Sequence, residues 1–265
     1  MIKPQILRKL ASGWNLRVDV VEKHYILGWI LFGISKSSIG KNLVFKGGTS
    51  LSKVYFPSEW RLSEDLDYTL LEDIPWDTII KAISEEVPKI VAQESGISIS
   101  LRSGTHTNPE YLQGKMKYAG PIGPGTVKIE ITKESFIGKT VTKAVPNVPA
   151  DFDYKEFSVK VYSIETIVGE KTRAILQRGY IRDYYDVWKL FKGEKFDQIE
   201  ARTIFESKCK AKNVTFTSVD DFFPPGTADI LKEHLHNLVR LIREPLPPVE
   251  DILNELKESL KKFLK

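Results

Sequence analysis

The sequence predicts an α+β protein, with a mixed α/β N-terminal domain over residues 1–150 and a mainly α-helical C-terminal domain over 151–265. Three observations carry this. Alternating runs, of which Val127-Lys128-Ile129-Glu130-Ile131 is the cleanest, interleave with stretches of helical period in the first part of the chain. A segment bearing Gly138, Pro146, Asn147 and Pro149, between Ile137 and Asp153, has the composition of a connection between domains. After one more short strand, Phe157 to Tyr162, the pattern is helical to the end.

Taken in order, Asp19-Val20-Val21-Glu22 has capping-box spacing, and Val20, Val21, His24, Leu27, Leu31 and Ile34 continue at helical intervals. Leu43-Val44-Phe45 reads as a short buried strand that ends in Gly47-Gly48-Thr49-Ser50, followed by a short helix through Leu51 and Val54. A second strand is expected from Leu66 to Leu71. An amphipathic helix follows from Pro75 to Glu94, on Ile79, Ile80, Ile83, Val87 and Ile90. Further strands are expected over 97–101, 111–118 and 127–131. Ser163-Ile164-Glu165-Thr166 opens a helix that reaches Arg178 and stops at Gly179. Four more helices are expected over 182–191, 199–210, 227–243 and 249–264, separated by proline-bearing breaks.

Composition narrows the class of function. With 42% hydrophobic and 28% charged residues, the chain has the make-up of a globular protein and not of a disordered one. A single cysteine, Cys209, excludes an internal disulfide framework and a multi-cysteine zinc site. The four histidines show no metal-ligand spacing. The longest apolar stretch, Tyr25 to Ile34, is about half of the roughly 20 residues that a membrane span needs. No leader pattern opens the chain, so a cytoplasmic protein without a membrane partner is expected.

The net charge of +4 conceals an uneven distribution. Residues 1–46 carry eight basic and two acidic residues, 47–97 carry four and ten, and 98–148 carry seven and three. An acidic block is thus framed by two basic ones, the arrangement that a metal-binding site beside a polyanion-attracting surface would show.

Within the acidic block, Asp65 and Asp67 stand two residues apart on an expected strand, so both carboxylates project from one face while Leu66 and Tyr68 bury on the other. Carboxylates that close repel unless a cation lies between them, and a hard, oxygen-liganded ion such as Mg²⁺ suits the pair. Upstream, Gly47 and Gly48 permit close approach of backbone to a ligand, and Thr49 and Ser50 add hydroxyls. Apart, each feature has a plain structural explanation, a solvated acidic pair or a tight strand-to-helix turn.

Together they are far more specific. A strand, Gly-Gly-Thr-Ser, a short helix and Asp-x-Asp on the next strand resemble the layout of the nucleotidyltransferase β superfamily. More narrowly, Lys46-Gly47-Gly48-Thr49-Ser50-Leu51 with Arg61-Leu62-Ser63-Glu64-Asp65-Leu66-Asp67 resembles the AbiEii toxin family. These are nucleotidyltransferase-like toxins of abortive-infection and type IV toxin–antitoxin pairs. The resemblance continues at Val161 to Glu165, Glu170-Lys171, Ala174, Arg178-Gly179 and Arg182-Asp183-Tyr184-Tyr185-Asp186-Val187.

The resemblance implies a nucleotidyltransferase-like mixed sheet with flanking helices and an Mg²⁺-dependent transfer of a nucleoside monophosphate from NTP. Two Mg²⁺ ions would be held by Asp65 and Asp67, with Glu130 as a third ligand or else a plain exposed strand residue. Lys46, Gly47, Gly48, Thr49 and Ser50 would bind the nucleotide. Lys171 and Asp183 match positions that the family treats as functional. Lys171 would meet nucleotide phosphates, and Asp183 would hold Lys171 or touch the nucleotide, unless the two form a helix–helix salt bridge. The implied acceptor is RNA, with the tRNA 3′ end favoured, and a cognate antitoxin is an implied partner. Left open are a non-catalytic RNA- or protein-binding module and a transferase or phosphotransferase acting on a protein or small molecule.

Overall fold

A computed structural model describes residues 1–193 and 195–265. The chain divides into two compact units, Met1–Glu134 with Val141–Val161, and Ser135–Thr140 with Tyr162–Lys265. The sequence alone places the boundary after residue 150. The structure instead keeps 151–161 with the first unit, because Phe152, Tyr154 and Phe157 are buried there and Val161 pairs with Phe45 in its sheet.

The first unit opens with two helices, α1 (Pro4–Gly13) and α2 (Val18–Lys36). α1 has no counterpart among the elements expected from sequence. Asp19 does not cap α2 but pairs with Arg17 at 2.9 Å, in the first turn. Then come β1 (Leu43–Lys46) and α3 (Gly47–Ser50), the latter prolonged by a wider π turn at Leu51–Tyr55, and β2 (Asp65–Leu70). The expected helix from Pro75 to Glu94 is α4 (Trp76–Lys81) and α5 (Val87–Ser95), joined through a π turn at Ala82–Glu86. Pro88 lacks the N–H that a regular turn needs, and the wider turn absorbs the lost bond.

Next are β3 (Ser98–Leu101), β4 (His106–Thr107), β5 (Tyr111–Ala119), β6 (Pro124–Lys133), β7 (Thr140–Ala144) and β8 (Ser158–Tyr162). β7 lies within the stretch expected to be a connection. Among the described residues these strands form one mixed sheet in the order β3-β5-β6-β2-β1-β8-β7, with β4 on β5. β2 runs parallel to β6 and antiparallel to β1.

The sheet is two-faced. Ile99, Leu112, Met116, Val127, Ile129 and Ile131 are buried on the side that carries α2 and α5. The alternate residues of β3, β5 and the first part of β6, among them Ser100, Lys115, Lys117 and Thr126, are exposed. α2 is apolar nearly all round because the sheet, α1 and the 152–157 segment enclose it. Tyr154 lies across it: its hydroxyl donates to the Tyr25 carbonyl at 2.8 Å, and its ring packs on Trp29 at 5.5 Å and directly on Gly28.

The second unit is helical. Ser163 caps α6 (Ile164–Arg178) by accepting from the Thr166 N–H at 3.2 Å, and Gly179 ends the helix in the left-handed conformation at φ 57°. α7 (Ile181–Gly193) and α8 (Gln198–Ala211) follow, and Gly169 lets α6 approach the α8 backbone closely. The single helix expected over 227–243 is broken near His234 into α9 (Thr227–Glu233) and α10 (His236–Val239). α11 (Val249–Phe263) closes the unit, its Leu256, Leu260 and Phe263 buried. Among the described residues no helix is long and apolar enough to cross a membrane.

A methyl group at Gly28 would overlap the Tyr154 ring. Gly28→Ala is therefore expected to be destabilising by about 1–2 kcal/mol, since overpacking of roughly 1–3 kcal/mol outweighs a helix-propensity gain of up to about 1. Thermal unfolding measures it, and a melting temperature at or above that of the wild type would contradict this packing.

Candidate active site

β2 places Asp65 and Asp67 on the open face of the sheet, while Leu66 and Tyr68 are buried beneath at 0% and 2% exposure. The register sets the neighbours of each. Asp67 lies between Lys46 of β1 and Glu130 of β6, and Asp65 lies opposite Lys128. Burial and then the charge of Asp65 push the Asp67 carboxyl up to about 6, against the pull of Lys46 and Lys128. The pair thus costs electrostatic free energy where it stands.

The turn after β1 is fitted to this pair. Gly47 has φ +75°, and a Cβ there would strike Asp67 Oδ2, so both the backbone conformation and the space require glycine. The Thr49 hydroxyl donates to the Asp65 carbonyl, tying α3 to the strand, and the Ser50 hydroxyl donates to the Gly47 carbonyl at 2.7 Å. Both side chains are buried, so the hydroxyls expected to serve a nucleotide hold the turn itself.

Lys46 is also engaged. Its ammonium, 7% exposed as a residue, donates to Glu134 Oε1 at 2.6 Å and to Thr132 Oγ1 at 2.9 Å. Glu134 was not among the residues singled out from sequence, although Glu130, Thr132 and Glu134 fall at alternate positions leading out of β6. Glu130 is turned to Lys128 at 2.8 Å and to Gln113 at 3.1 Å. Burial pushes its carboxyl up, but these partners outweigh that and hold it below the usual range. Among the described residues no three His, Cys, Asp or Glu side chains form a group that could hold a metal ion; Glu130 stands opposite Asp67 in the register with its carboxylate on Lys128 and Gln113.

Lys171 and Asp183 belong to the second unit. The structure brings them together: Lys171 Nζ lies 3.0 Å from Asp183 and 2.9 Å from Asp186, all three buried between α6 and α7. Arg178 adds a contact of 2.8 Å to Asp183. Burial pushes Asp183 up, yet Lys171 and Arg178 prevail and hold it at about 2. Nearby, Lys208, 2% exposed, pairs with Glu170 at 3.0 Å and sits over the Tyr162 ring. Cys209 is buried, and burial pushes its thiol up to about 11, which leaves it unreactive.

A paired-glycine turn closed against two carboxylates on the neighbouring strand of a mixed sheet is the arrangement on which the resemblance to nucleotidyltransferases rests. A family model described as "Nucleotidyl transferase AbiEii toxin, Type IV TA system" matches residues 29–258, and the chain belongs to this family of toxin nucleotidyltransferases. Membership implies an NTP substrate and a cognate antitoxin. The fold is similar to that of MenT4, the nucleotidyltransferase toxin Rv2826c from Mycobacterium tuberculosis H37Rv. The TM-score is 0.73 at 18% identity, over 100% of this chain and 90% of that one. It is also similar to JHP933 from Helicobacter pylori (TM-score 0.56, 18% identity, 94% and 93% covered). A putative nucleotidyltransferase from H. pylori gives 0.55 at 18% identity, with 94% and 96% covered. No curated protein matches.

The fit of the turn to Asp67 is open to direct test. Gly47→Ala abolishes nucleotidyl transfer because Asp67 must move, whereas Gly96→Ala, also at positive φ but in open space, leaves transfer intact; both carry a backbone cost of about 1–2 kcal/mol. Equal activity in the two variants would refute the fitted turn. Lys171→Met leaves Asp186 buried without this cation, and denaturant unfolding should show a loss of about 3–5 kcal/mol. A variant of undiminished stability that no longer transfers nucleotide would instead place Lys171 at the phosphates.

Proposed function

We propose that the protein transfers a nucleoside monophosphate from Mg²⁺-bound NTP to a hydroxyl of RNA, a tRNA 3′ end being the favoured acceptor, and that it does so as the toxin of a phage-defence pair. The observation that carries the reading is the joint placement of Asp65 and Asp67 on one face of β2 beneath the Gly47 turn. The donor set fits a divalent cation. Two carboxylates supply the hard oxygens that Mg²⁺ takes, and burial and then the charge of Asp65 raise the Asp67 carboxyl against the pull of Lys46 and Lys128, a cost that a bound cation would relieve. Bound there, Mg²⁺ would polarise the phosphoryl oxygens and lower the pKa of the attacking hydroxyl.

The chain's own residues supply the rest. Asp65 and Asp67 hold the ion. Gly47 and Gly48 bring backbone close to the triphosphate, at the start of a helix whose first N–H groups have no intrahelical partner. Thr49 and Ser50 keep that turn in shape. Lys46, on the strand just before the turn, offsets the charge that develops as the acceptor oxygen bonds to the α-phosphorus and the bond to pyrophosphate breaks. Glu130 becomes a third ligand only by exchanging Lys128 for the ion. In this reading Lys171 and Asp183 act from the second unit by fixing α6 on α7. The basic segments 1–46 and 98–148 favour a polyanionic acceptor.

The test is incubation with total tRNA, Mg²⁺ and each labelled NTP in turn. Label should pass to RNA with the wild type, and neither Asp65→Ala nor Asp67→Ala should transfer it. Absence of transfer with every NTP, together with absence of Mg²⁺-dependent nucleotide binding, would overturn the proposal.

A further inference from the structure

The register of the sheet puts one row of side chains across four strands. Arg102, whose N–H donates to the Lys115 carbonyl at 2.8 Å, continues β3 beside Lys115 of β5; Lys115 pairs with Lys128 of β6, and Lys128 with Asp65 of β2. Strands lie about 4.8 Å apart, so three cations span about 10 Å in a line that reaches a catalytic carboxylate about 5 Å further on. Arg102 and Lys115 are exposed and Lys128 partly so. One position further out, Lys117 is exposed on the same face beside Ser100 and Thr126. Among the described residues, Glu130 is the one acidic side chain at the open-face positions of β3, β5 and β6, and it is paired with Lys128.

This arrangement is unfavourable to the fold taken by itself. Like charges directly opposite on neighbouring strands repel, and Lys115 faces Lys128 in register. The open face of β5 does not offset Lys115: its same-face neighbours there are Gln113 and Lys117. A surface that sets cations against one another in a row, beside a site that joins phosphates, is complementary to an extended chain of phosphates. In the adjacent row His106 stands opposite Gln113, and its ring lies 5.6 Å from that of Tyr111 one row further, a place where a base can stack.

We infer that the open face of β3, β5 and β6 is the dock for the acceptor, a single-stranded nucleic-acid end whose phosphates follow Arg102, Lys115 and Lys128 and whose terminal hydroxyl arrives at Asp65. The inference rests on the nucleotidyl-transfer reading and names the path by which the acceptor reaches it. The line of cations crosses the strands, so the acceptor enters from the β3 edge. Double-stranded substrate offers no free end of this kind.

The test uses the full chain and the double variant Arg102→Glu/Lys115→Glu, neither residue belonging to the nucleotide site. Binding of a fluorescent 12-mer RNA, its DNA counterpart and a hairpin duplex is read by anisotropy across a salt series. Mg²⁺-dependent NTP binding and thermal stability are measured on the same preparations. The variant should bind the single strands at least about tenfold more weakly, with a salt slope reduced by about 2, one for each phosphate that the variant no longer neutralises. Its melting temperature should hold or rise, because a carboxylate at position 115 would face Lys128, and its NTP binding should be unchanged. Single-strand binding equal to wild type, or competition by polyglutamate but not by RNA, would overturn the dock. A failure of transfer with intact, salt-sensitive oligonucleotide binding would count against the transferase reading alone, and RNA bound in preference to DNA would identify the natural strand.

Discussion

Two carboxylates at alternate positions of one strand face the same way, and the repulsion between Asp65 and Asp67 is the constraint around which the first unit is arranged. The strand cannot separate them, since the same alternation that brings them together buries Leu66 and Tyr68 below. What remains is to surround them with partial compensation. Lys46 enters from β1, Lys128 from β6, and the glycine turn closes on Asp67 without a side chain between. Burial first, and then the charge of Asp65, leave the Asp67 carboxyl raised in spite of these cations. A cation that arrives between two carboxylates relieves their repulsion.

Such a site needs a rigid support, and the one-sided sheet provides it. A slip of one residue in β2 or β6 would turn Asp67 and Glu130 inward and expose Tyr68 and Ile131, so the buried face holds the register that the open face uses. Thr49 serves the same end from the other direction, since its hydroxyl joins the turn to the backbone of Asp65. Lys46 is held by Glu134 and Thr132 beside the carboxylates it offsets. Its position is therefore set by the scaffold before any ligand is present, which is what electrostatic preorganisation requires.

The parts legible in sequence were those with a local period or a strict residue requirement. The alternation of 127–131, the Gly-Gly turn and the Asp-x-Asp pair follow from chemistry between near neighbours, and β1, β2, α6 and α7 stand where that chemistry puts them. Parts decided by distant packing were not legible. α1 carries no capping signal, β7 sits in a proline-bearing stretch, and Phe152 and Tyr154 belong to the first unit only because α2 offers them a surface. The same holds within the site. Glu130 shows its alternation in sequence, but its capture by Lys128 and Gln113 depends on the pairing of β5, β6 and β2. The meeting of Lys171 with both Asp183 and Asp186 follows from the packing of α6 on α7 and has no local signal in the sequence.

Two ion clusters of opposite design result. Around Lys171 the charges are buried and matched, one ammonium to two carboxylates with Arg178 as a second cation, so every member is satisfied within the second unit. Around Asp65 and Asp67 like charges stand side by side on a partly open face, and the neighbouring strands continue that mismatch outward as a row of cations. Matched burial serves fixity, because removal of any member strands a charge. Mismatch on an open face serves exchange, because each excess charge is relieved by something that binds and leaves. Motif residues occur in both clusters, so the motifs alone do not draw this distinction. In the proposed reaction the acidic pair, the turn that closes on it and the cations beside it are the groups whose charges a bound substrate would relieve.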